Sequence, residues 1–234
     1  CVQPALVANI DRAAARVLDR AGISLVRAPG AASCCGALAH HLSAEERALQ
    51  QARRNIDAWW PEIERGAEAV VVTASGCGAM VRDYGELLRQ DPAYAGKAAK
   101  VSALFRDISQ VVAAEGARLP QAAAAAKRIA VHSPCTLQHG LKIRGVVEEL
   151  LRKAGFELLP AADGHLCCGS AGTYSILQPQ LSRQLRDNKL AALQAGEPQV
   201  IATANIGCLT HLGAGAERPV RHWIELLDEA LGAA

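Results

Sequence analysis

The cysteines of this chain follow one pattern that occurs twice. Two adjacent cysteines followed by a glycine stand at Cys34-Cys35-Gly36 and again at Cys167-Cys168-Gly169. One cysteine lies 33 positions before the first pair and another 42 positions after it, and the second pair has intervals of 32 and 40. These outer cysteines are Cys1, Cys77, Cys135 and Cys208. Because the chain has 8 cysteines in all, we expect the fold to bring each set of four together.

The repeat predicts two domains. We place them at residues 1–118 and 119–234, because Pro120 and a run of alanines next to this boundary are typical of a linker. A chain of 234 residues is long enough for two domains of about 110 to 120 residues each. Half of the residues are hydrophobic but only 3% are aromatic. Each core must therefore consist mainly of aliphatic side chains.

Charge and hydropathy argue against two classes of partner. The net charge is only +2, from 25 basic and 23 acidic residues that are mixed along the chain. No basic surface of the kind that nucleic acid requires is predicted. No apolar run approaches the ~20 residues that cross a bilayer, so we expect no direct membrane insertion.

Many cysteines without a secretory signal favour a reducing compartment, the cytoplasm, and metal ligation over a disulfide framework.

Predicted strands alternate with predicted helices in both halves. The strands are 23–26, 68–73, 128–132, 156–159 and 200–203. The helices are 4–20, one that begins at a capping box in Ser43-Ala-Glu-Glu46 and is kinked at Pro61, one that ends near 89, then 102–115, one that ends at 154, 178–195 and 222–231. The alternation predicts an α/β fold of two tandem Rossmann-like halves with parallel sheets, related by a pseudo-twofold repeat.

The predicted strands also indicate where the cysteines lie. Ligands of open parallel sheets bind at the carboxyl ends of the strands, and the cysteines follow predicted strand ends. We therefore expect one site per half, facing the cleft between the halves. The run 128–132 leads into Cys135, whereas the first copy begins at Cys1 without such a strand. We interpret the sequence as the C-terminal part of a longer protein, cut at the edge of its first motif.

Four thiols per half suit a metal centre. Thiolates are soft ligands that bind zinc, copper(I) or iron–sulfur clusters, and four of them satisfy a tetrahedral zinc ion or a four-iron cluster. Two matched sets argue against unconnected buried cysteines, and adjacent cysteines form a disulfide only with strain. Structural zinc sites usually contain Cys-x-x-Cys, which this chain lacks, while Gly36 and Gly169 let the backbone approach a bulky cluster. The pattern favours iron–sulfur, with zinc as the alternative at one or both sites.

The repeated Cys…Cys-Cys-Gly…Cys pattern resembles the cysteine-rich CCG domain of the heterodisulfide reductases and their relatives. Five segments narrow the resemblance to the iron–sulfur subunit of bacterial glycolate oxidase, and they cover both halves. These segments are 73–80, 132–139, 166–174, 205–211 and 221–227.

The resemblance implies an oxidoreductase complex in which this chain carries electrons. A flavin-containing partner subunit would oxidise glycolate to glyoxylate, and this subunit would pass the electrons on, to quinone as the acceptor. The implied cofactors are 4Fe-4S clusters, and no residue of this chain is implied to be catalytic. Attachment at the inner membrane would come through partners. The implied metal ligands are Cys1, Cys34, Cys35 and Cys77 in one half and Cys135, Cys167, Cys168 and Cys208 in the other.

Two corresponding positions, one in each half, depart from the family pattern. The fuller pattern ends each domain with Cys-x-x-Cys, which gives five thiols, but this chain has Ala74 and Asn205 at the penultimate cysteine positions. The five-thiol chemistry of the heterodisulfide reductases is therefore not carried over. We expect Asn205 to be able to donate a hydrogen bond to a cluster sulfur.

Two other functions stay open from the sequence. One is a zinc-stabilised module that assembles subunits, and the other is a thiol–disulfide redox protein that resembles heterodisulfide reductase. The sequence does not separate glycolate from lactate as the substrate of the partner. Four histidines lie near the second-half cysteines, and we expect them to lie behind the ligands without binding metal, with His211 the best placed to ligate. These are His132, His139, His165 and His211.

Overall fold

The computed structural model describes residues 2–28, 34–119 and 126–232. Three features of the sequence analysis lie outside the described residues. They are Cys1, the loop at Pro29-Gly30 that the sequence predicts before Cys34 and Cys35, and most of the predicted linker, 120–125.

Helices account for most of the described chain. The α-helices are α1 (Val2–Leu6), α2 (Asn9–Arg20), α3 (Ala37–His41), α4 (Glu45–Glu64), α5 (Ser75–Arg82), α6 (Tyr84–Leu87), α7 (Ala95–Leu104), α8 (Ile108–Glu115), α9 (Val146–Lys153), α10 (Tyr174–Leu177), α11 (Pro179–Gln194), α12 (Ile206–Gly213) and α13 (Trp223–Gly232). A 3₁₀ turn spans Gly116–Arg118 and a π-helical turn spans Thr136–Gly140.

The strands form two parallel sheets. They are β1 (Val70–Val72), β2 (Phe105–Asp107), β3 (Arg128–His132), β4 (Glu157–Leu159), β5 (Val200–Thr203) and β6 (Val220–His222). In the first half β1 pairs with β2, and in the second half the order is β4-β3-β5-β6. Helices connect the parallel neighbours, as this arrangement requires. The α/β class and the parallel sheets predicted from the sequence are confirmed.

The predicted strand at 23–26 is wrong. These residues have no regular structure, and the side chains of Leu25 and Val26 are 50% and 60% exposed. An apolar run becomes a strand only where a neighbouring strand accepts its hydrogen bonds. Upstream, the predicted helix 4–20 is two helices, α1 and α2.

The start of α4 and two short strands were also predicted wrongly. Ser43 has a left-handed backbone with φ +57°, and Ala44 precedes α4 with no side-chain cap. A capping box instead stands at Asp107, the residue before α8. Strands β2 and β6 have only three residues each and contain charged side chains. The sequence pattern therefore assigned all of β2 to the predicted helix 102–115 and the last residue of β6 to the predicted helix 222–231.

The first and last long helices join the two halves. Helix α2 packs against α13, and one core cluster contains Ile10 and Val17 from the first half together with Leu227 from the second. At the edge of this contact, Arg16 and Arg20 bind the carboxylate of Asp228 at 2.6 and 2.7 Å. Burial opposes ionisation of Asp228, but the two guanidinium groups outweigh it and lower the pKa of this carboxyl group. The two halves therefore share one hydrophobic core.

A buried histidine also connects the halves. His222 ends β6, is fully buried, and its Nε2 lies 3.0 Å from the carbonyl oxygen of Thr73. Burial disfavours the charged imidazole and lowers the pKa of His222 to about 4, although bonds to the backbone of Thr73 and Ala204 oppose the shift. The folded protein therefore keeps this side chain neutral.

We predict that His222 makes folding sensitive to acid. In the unfolded chain its pKa is near the ordinary value of 6.5, so the unfolded state binds a proton first as the pH falls. The stabilisation is complete above about pH 6.5 and decreases by on the order of 3 kcal/mol between pH 6.5 and 4. Urea unfolding of wild type and His222→Gln measures this, with His139→Asn as an exposed control. Equal pH slopes for wild type and His222→Gln would contradict the prediction.

Candidate metal centres

Corresponding elements position the last cysteine of each set. Helix α5 begins three residues after β1 ends and carries Cys77 in its first turn. Helix α12 begins three residues after β5 ends and carries Cys208 in the same place. Cys135 follows the end of β3. These cysteines therefore lie at the carboxyl edges of the two sheets, where ligands of parallel sheets bind.

The glycine of each Cys-Cys-Gly motif adopts a backbone that other residues avoid. Gly36 and Gly169 have φ of +94° and +88°. A Cβ on Gly169 would lie 2.3 Å from the carbonyl oxygen of Ser182 in α11, and one on Gly36 would lie 3.0 Å from that of Ala48 in α4. Both glycines thus turn the chain tightly against a helix. The Gly169 amide also donates a hydrogen bond to the Cys167 Sγ at 3.3 Å.

The four thiols of the second half form a continuous chain of contacts. Cys167 contacts Cys135 and Cys168, and Cys168 also contacts Cys208. Cys168 and Cys208 are only 1% and 4% exposed. Residues that are distant in the sequence are therefore gathered in one partly buried cluster, which we call the second thiol cluster.

Hydrogen bonding between neighbouring thiols shifts the pKa values within the second thiol cluster in opposite directions. Hydrogen bonds from Cys135 and Cys168 lower the pKa of Cys167 to about 2, and a hydrogen bond from Cys168 lowers that of Cys208 to about 5. The donors Cys135 and Cys168 have raised pKa values for the same reason. The nearby Asn205 amide also favours the Cys208 thiolate. Thiolates are the form in which cysteine binds metals.

The first half gathers its three described cysteines in the same way. Cys35 contacts both Cys34 and Cys77, and the hydrogen bond from Cys77 lowers the pKa of Cys35 to about 6. The pKa of Cys77 is raised because it donates that bond. The Tyr84 hydroxyl donates to the Cys35 carbonyl at 2.8 Å, and the Asn55 amide donates to the Cys34 carbonyl at 3.1 Å. These bonds fix the backbone of the motif.

Asn205 links the two sites. Its Nδ2 lies 3.7 Å from the Cys208 Sγ, and its Oδ1 accepts a hydrogen bond of 3.5 Å from the Gly76 amide. Gly76 is next to Cys77, and the neighbouring Ser75 amide donates to the Ala204 carbonyl at 3.3 Å. The two thiol sets are therefore in adjacent parts of the interface between the halves.

The histidine that lies near the second-half sulfurs is His132, whereas the sequence favoured His211. His211 binds Ser182, with its Nε2 3.1 Å from the hydroxyl oxygen, and His139 lies 3.0 Å from the carbonyl oxygen of His165. His132 instead has a ring nitrogen within 4.8 Å of the sulfurs of Cys168 and Cys208. Its place at the end of a predicted strand, three residues before Cys135, was the available signal.

The tryptophans serve packing. Trp223 is fully buried in the shared core. Trp59 stacks on Tyr84 with ring centroids 6.3 Å apart, and Lys97 lies over the Trp60 ring. Within the described ranges, no helix has both the length and the apolar character needed to cross a membrane.

These features define a class of α/β protein in which a repeated cysteine-rich unit gathers thiols at the edge of a parallel sheet. The family described as Cysteine-rich domain (CCG) matches residues 1–82 and 129–213, and the chain belongs to this family. The resemblance that the sequence analysis found is confirmed.

Three relatives place the chain within the family. It is 53% identical to the glycolate oxidase iron-sulfur subunit of Escherichia coli, over 99% of this chain and 56% of that protein. It is 32% identical to the probable glycolate oxidase iron-sulfur subunit of Bacillus subtilis, over 99% of this chain and 53% of that protein. Lactate utilization protein A of Bacillus velezensis is 30% identical, over 97% of this chain and 96% of that protein. The chain thus spans about half the length of the two glycolate oxidase subunits.

The glycine geometry generates a prediction with a matched control. Gly169 and Gly22 both have positive φ, but a Cβ on Gly22 would meet nothing within 4 Å. Gly22→Ala should cost about 1 to 2 kcal/mol from backbone strain alone. Gly169→Ala should cost about 1 to 3 kcal/mol more, because the added methyl group overlaps the Ser182 carbonyl.

Chemical denaturation of the two variants measures the difference in free energy of unfolding. The Gly169→Ala protein should also lose metal from the second half, since the turn that carries Cys167 and Cys168 must move. Equal destabilisation by the two substitutions would show that the close approach to α11 is unimportant.

Proposed function

We propose that this chain is the electron-carrying iron–sulfur part of a glycolate oxidase-type complex. In this proposal, a flavin-containing partner subunit oxidises glycolate to glyoxylate and delivers the electrons to this chain. The observation that carries the proposal is the gathering of thiols at a sheet edge in each half of a chain that is 53% identical to a glycolate oxidase iron-sulfur subunit. Quinone is the proposed final acceptor.

We further propose the metal ligands and the domains. The first domain, residues 1–118, uses Cys1, Cys34, Cys35 and Cys77. The second domain, residues 119–234, uses Cys135, Cys167, Cys168 and Cys208. Gly36, Gly169 and Asn205 support these ligands through tight turns and a contact to sulfur.

The described residues fit a metal centre chemically. The donors are soft thiols, which suit iron–sulfur clusters or zinc. Hydrogen bonding already favours the thiolate form of Cys35, Cys167 and Cys208. The seven described cysteines are free thiols, as ligation requires. A 4Fe-4S cluster, when bound, would supply the exchange of single electrons.

The side chains around the thiols have two tasks in this proposal. Burial of Cys168 and Cys208 keeps water from the ligand sulfurs, which helps to set the reduction potential. The amide of Asn205 contacts a ligand sulfur in one half and the backbone beside Cys77 in the other. The two centres would then lie close enough for electrons to pass between them.

A zinc-stabilised assembly module is a second candidate. It is favoured by the compact group of His132, Cys168 and Cys208, whose donor atoms all lie within 4.8 Å of one another. Such a spacing suits ligands that share one ion.

We place the complex in the cytoplasm, where thiols stay reduced, with any attachment to the inner membrane made through partners.

Electron transfer from substrate tests the proposal. The full-length subunit is purified without oxygen with its flavin-containing partners, and glycolate is added. We expect glycolate to reduce the iron–sulfur clusters, which is seen as the appearance of electron paramagnetic resonance signals, and lactate to reduce them more slowly. Lactate as the faster substrate would assign the complex to the lactate branch.

Cysteine variants assign the signals to the two halves, with each half as the control for the other. Cys35→Ser should remove one set of signals and Cys168→Ser the other, together with the corresponding iron and inorganic sulfide. A colourless protein that contains only zinc would overturn electron transfer and leave the assembly module.

A further inference from the structure

His132 occupies an unusual position for an ionisable side chain. It is the last residue of β3, which lies between β4 and β5 in the four-stranded sheet. Its side chain points to the same face of the sheet as Ala130, which packs with Cys168 and Cys208 in one hydrophobic cluster. Only 2% of His132 is exposed. The imidazole is therefore enclosed between the sheet and the second thiol cluster.

Both ring nitrogens of His132 lack a hydrogen-bond partner among the described residues. His222 shows what the same fold does with another buried histidine. Its Nε2 lies 3.0 Å from the Thr73 carbonyl oxygen, and its Nδ1 accepts a bond of 3.3 Å from the Ile224 amide. A buried polar group without a partner costs about 1 to 3 kcal/mol. The described residues therefore leave both ring nitrogens of His132 available to bind another group.

The groups that His132 faces are metal ligands by chemistry. One of its ring nitrogens and the sulfurs of Cys168 and Cys208 all lie within 4.8 Å of one another, and all three residues are buried. Ligand atoms on one tetrahedral ion are about 3.5 to 4 Å apart, as follows from bonds of about 2.0 to 2.3 Å. A small contraction would bring the three donors to that spacing.

We propose that His132 is a direct nitrogen ligand of the metal centre in the second half, beside Cys168 and Cys208. The proposal rests on the metal site proposed above. The neutral imidazole donates the lone pair of one nitrogen, and the thiols release their protons to solvent as the metal–sulfur bonds form. On a zinc ion, His132 would share one metal atom with Cys168 and Cys208. At a 4Fe-4S cluster, where each iron takes one protein ligand, it would bind one iron in place of one of the four proposed thiolates.

Thr203 supports this assignment from the neighbouring strand. It is the register partner of His132 in β5, and its buried hydroxyl also has no hydrogen-bond partner among the described residues. A histidine that binds metal through one nitrogen usually donates its other N–H to a nearby acceptor. The Thr203 hydroxyl is placed to become that acceptor once the imidazole turns toward the metal.

Ligation by His132 would make the two centres different. In the part of the chain that the structure describes, which leaves out Cys1, no histidine or carboxylate joins the first-half cysteines in a group of three donors that all lie within 4.8 Å of one another. Exchange of an anionic thiolate for a neutral imidazole raises the reduction potential of an iron–sulfur centre. The second half would then be the stronger electron acceptor of the two.

Nitrogen spectroscopy on the wild-type full-length chain tests the proposal without any substitution. Protein with ¹⁵N-labelled histidine is purified without oxygen, and its metal is studied by X-ray absorption and, where paramagnetic, by pulsed electron paramagnetic resonance. We expect one imidazole nitrogen bound to the metal. X-ray absorption at the zinc or the iron edge detects a nitrogen in the coordination shell of whichever metal is present.

Three variants identify the source of the nitrogen. His132→Cys should keep the metal and lose the nitrogen signal, His132→Ala should hold the second-half metal at least tenfold more weakly against a chelator, and the exposed control His139→Asn should match wild type. A nitrogen signal that persists in His132→Cys, or a wild-type metal bound by sulfur alone, would overturn the proposal.

Failure of the underlying metal site gives a different result. If Cys168→Ser leaves the metal content of the protein unchanged, the second half binds no metal, which overturns its proposed metal site and the role of His132 together. If Cys168→Ser removes metal but no nitrogen is detected, only the ligand role of His132 is lost. A zinc-bound nitrogen would support His132 and contradict electron transfer.

Discussion

The contact between sulfur atoms from distant parts of the sequence is the constraint on which the structure depends. It requires parallel strands whose carboxyl ends meet at one edge, and helices that begin immediately after them. It also requires a turn that presents two adjacent cysteines to that edge. Gly169 provides this turn because only glycine combines φ of +88° with the close approach to the Ser182 carbonyl. In each half, the sheet, the helices and the turn together bring the described cysteine side chains of one set to the same place.

The repeat does not produce two independent units. Helix α2 of the first half is buried against α13 of the second, and Asn205 contacts the Cys208 sulfur of one set and the Gly76 amide beside Cys77 of the other. Ion pairs at its edge, from Arg16 and Arg20 to Asp228, add to this junction. An electron carrier with two centres benefits from such an arrangement, because a rigid shared core keeps the centres at a fixed separation.

The sequence predicted those features that depend on spacing and periodicity. The matched cysteine intervals predicted one thiol set per half, and the buried runs at 128–132 and 200–203 became β3 and β5. It did not predict β2 and β6, because strands of three residues with charged members have no apolar period. It also favoured His211 over His132, since proximity along the chain does not indicate which face of a strand points to the sulfurs. The mutual contacts of the thiols appeared only in three dimensions.

The most direct test of this account is anomalous diffraction from anaerobically grown crystals, with data collected on both sides of the iron absorption edge. The account predicts two anomalous peaks, one inside each thiol set, with the second peak also in contact with a His132 nitrogen. Cysteine sulfurs that are separately buried, with no anomalous peak between them, would contradict it.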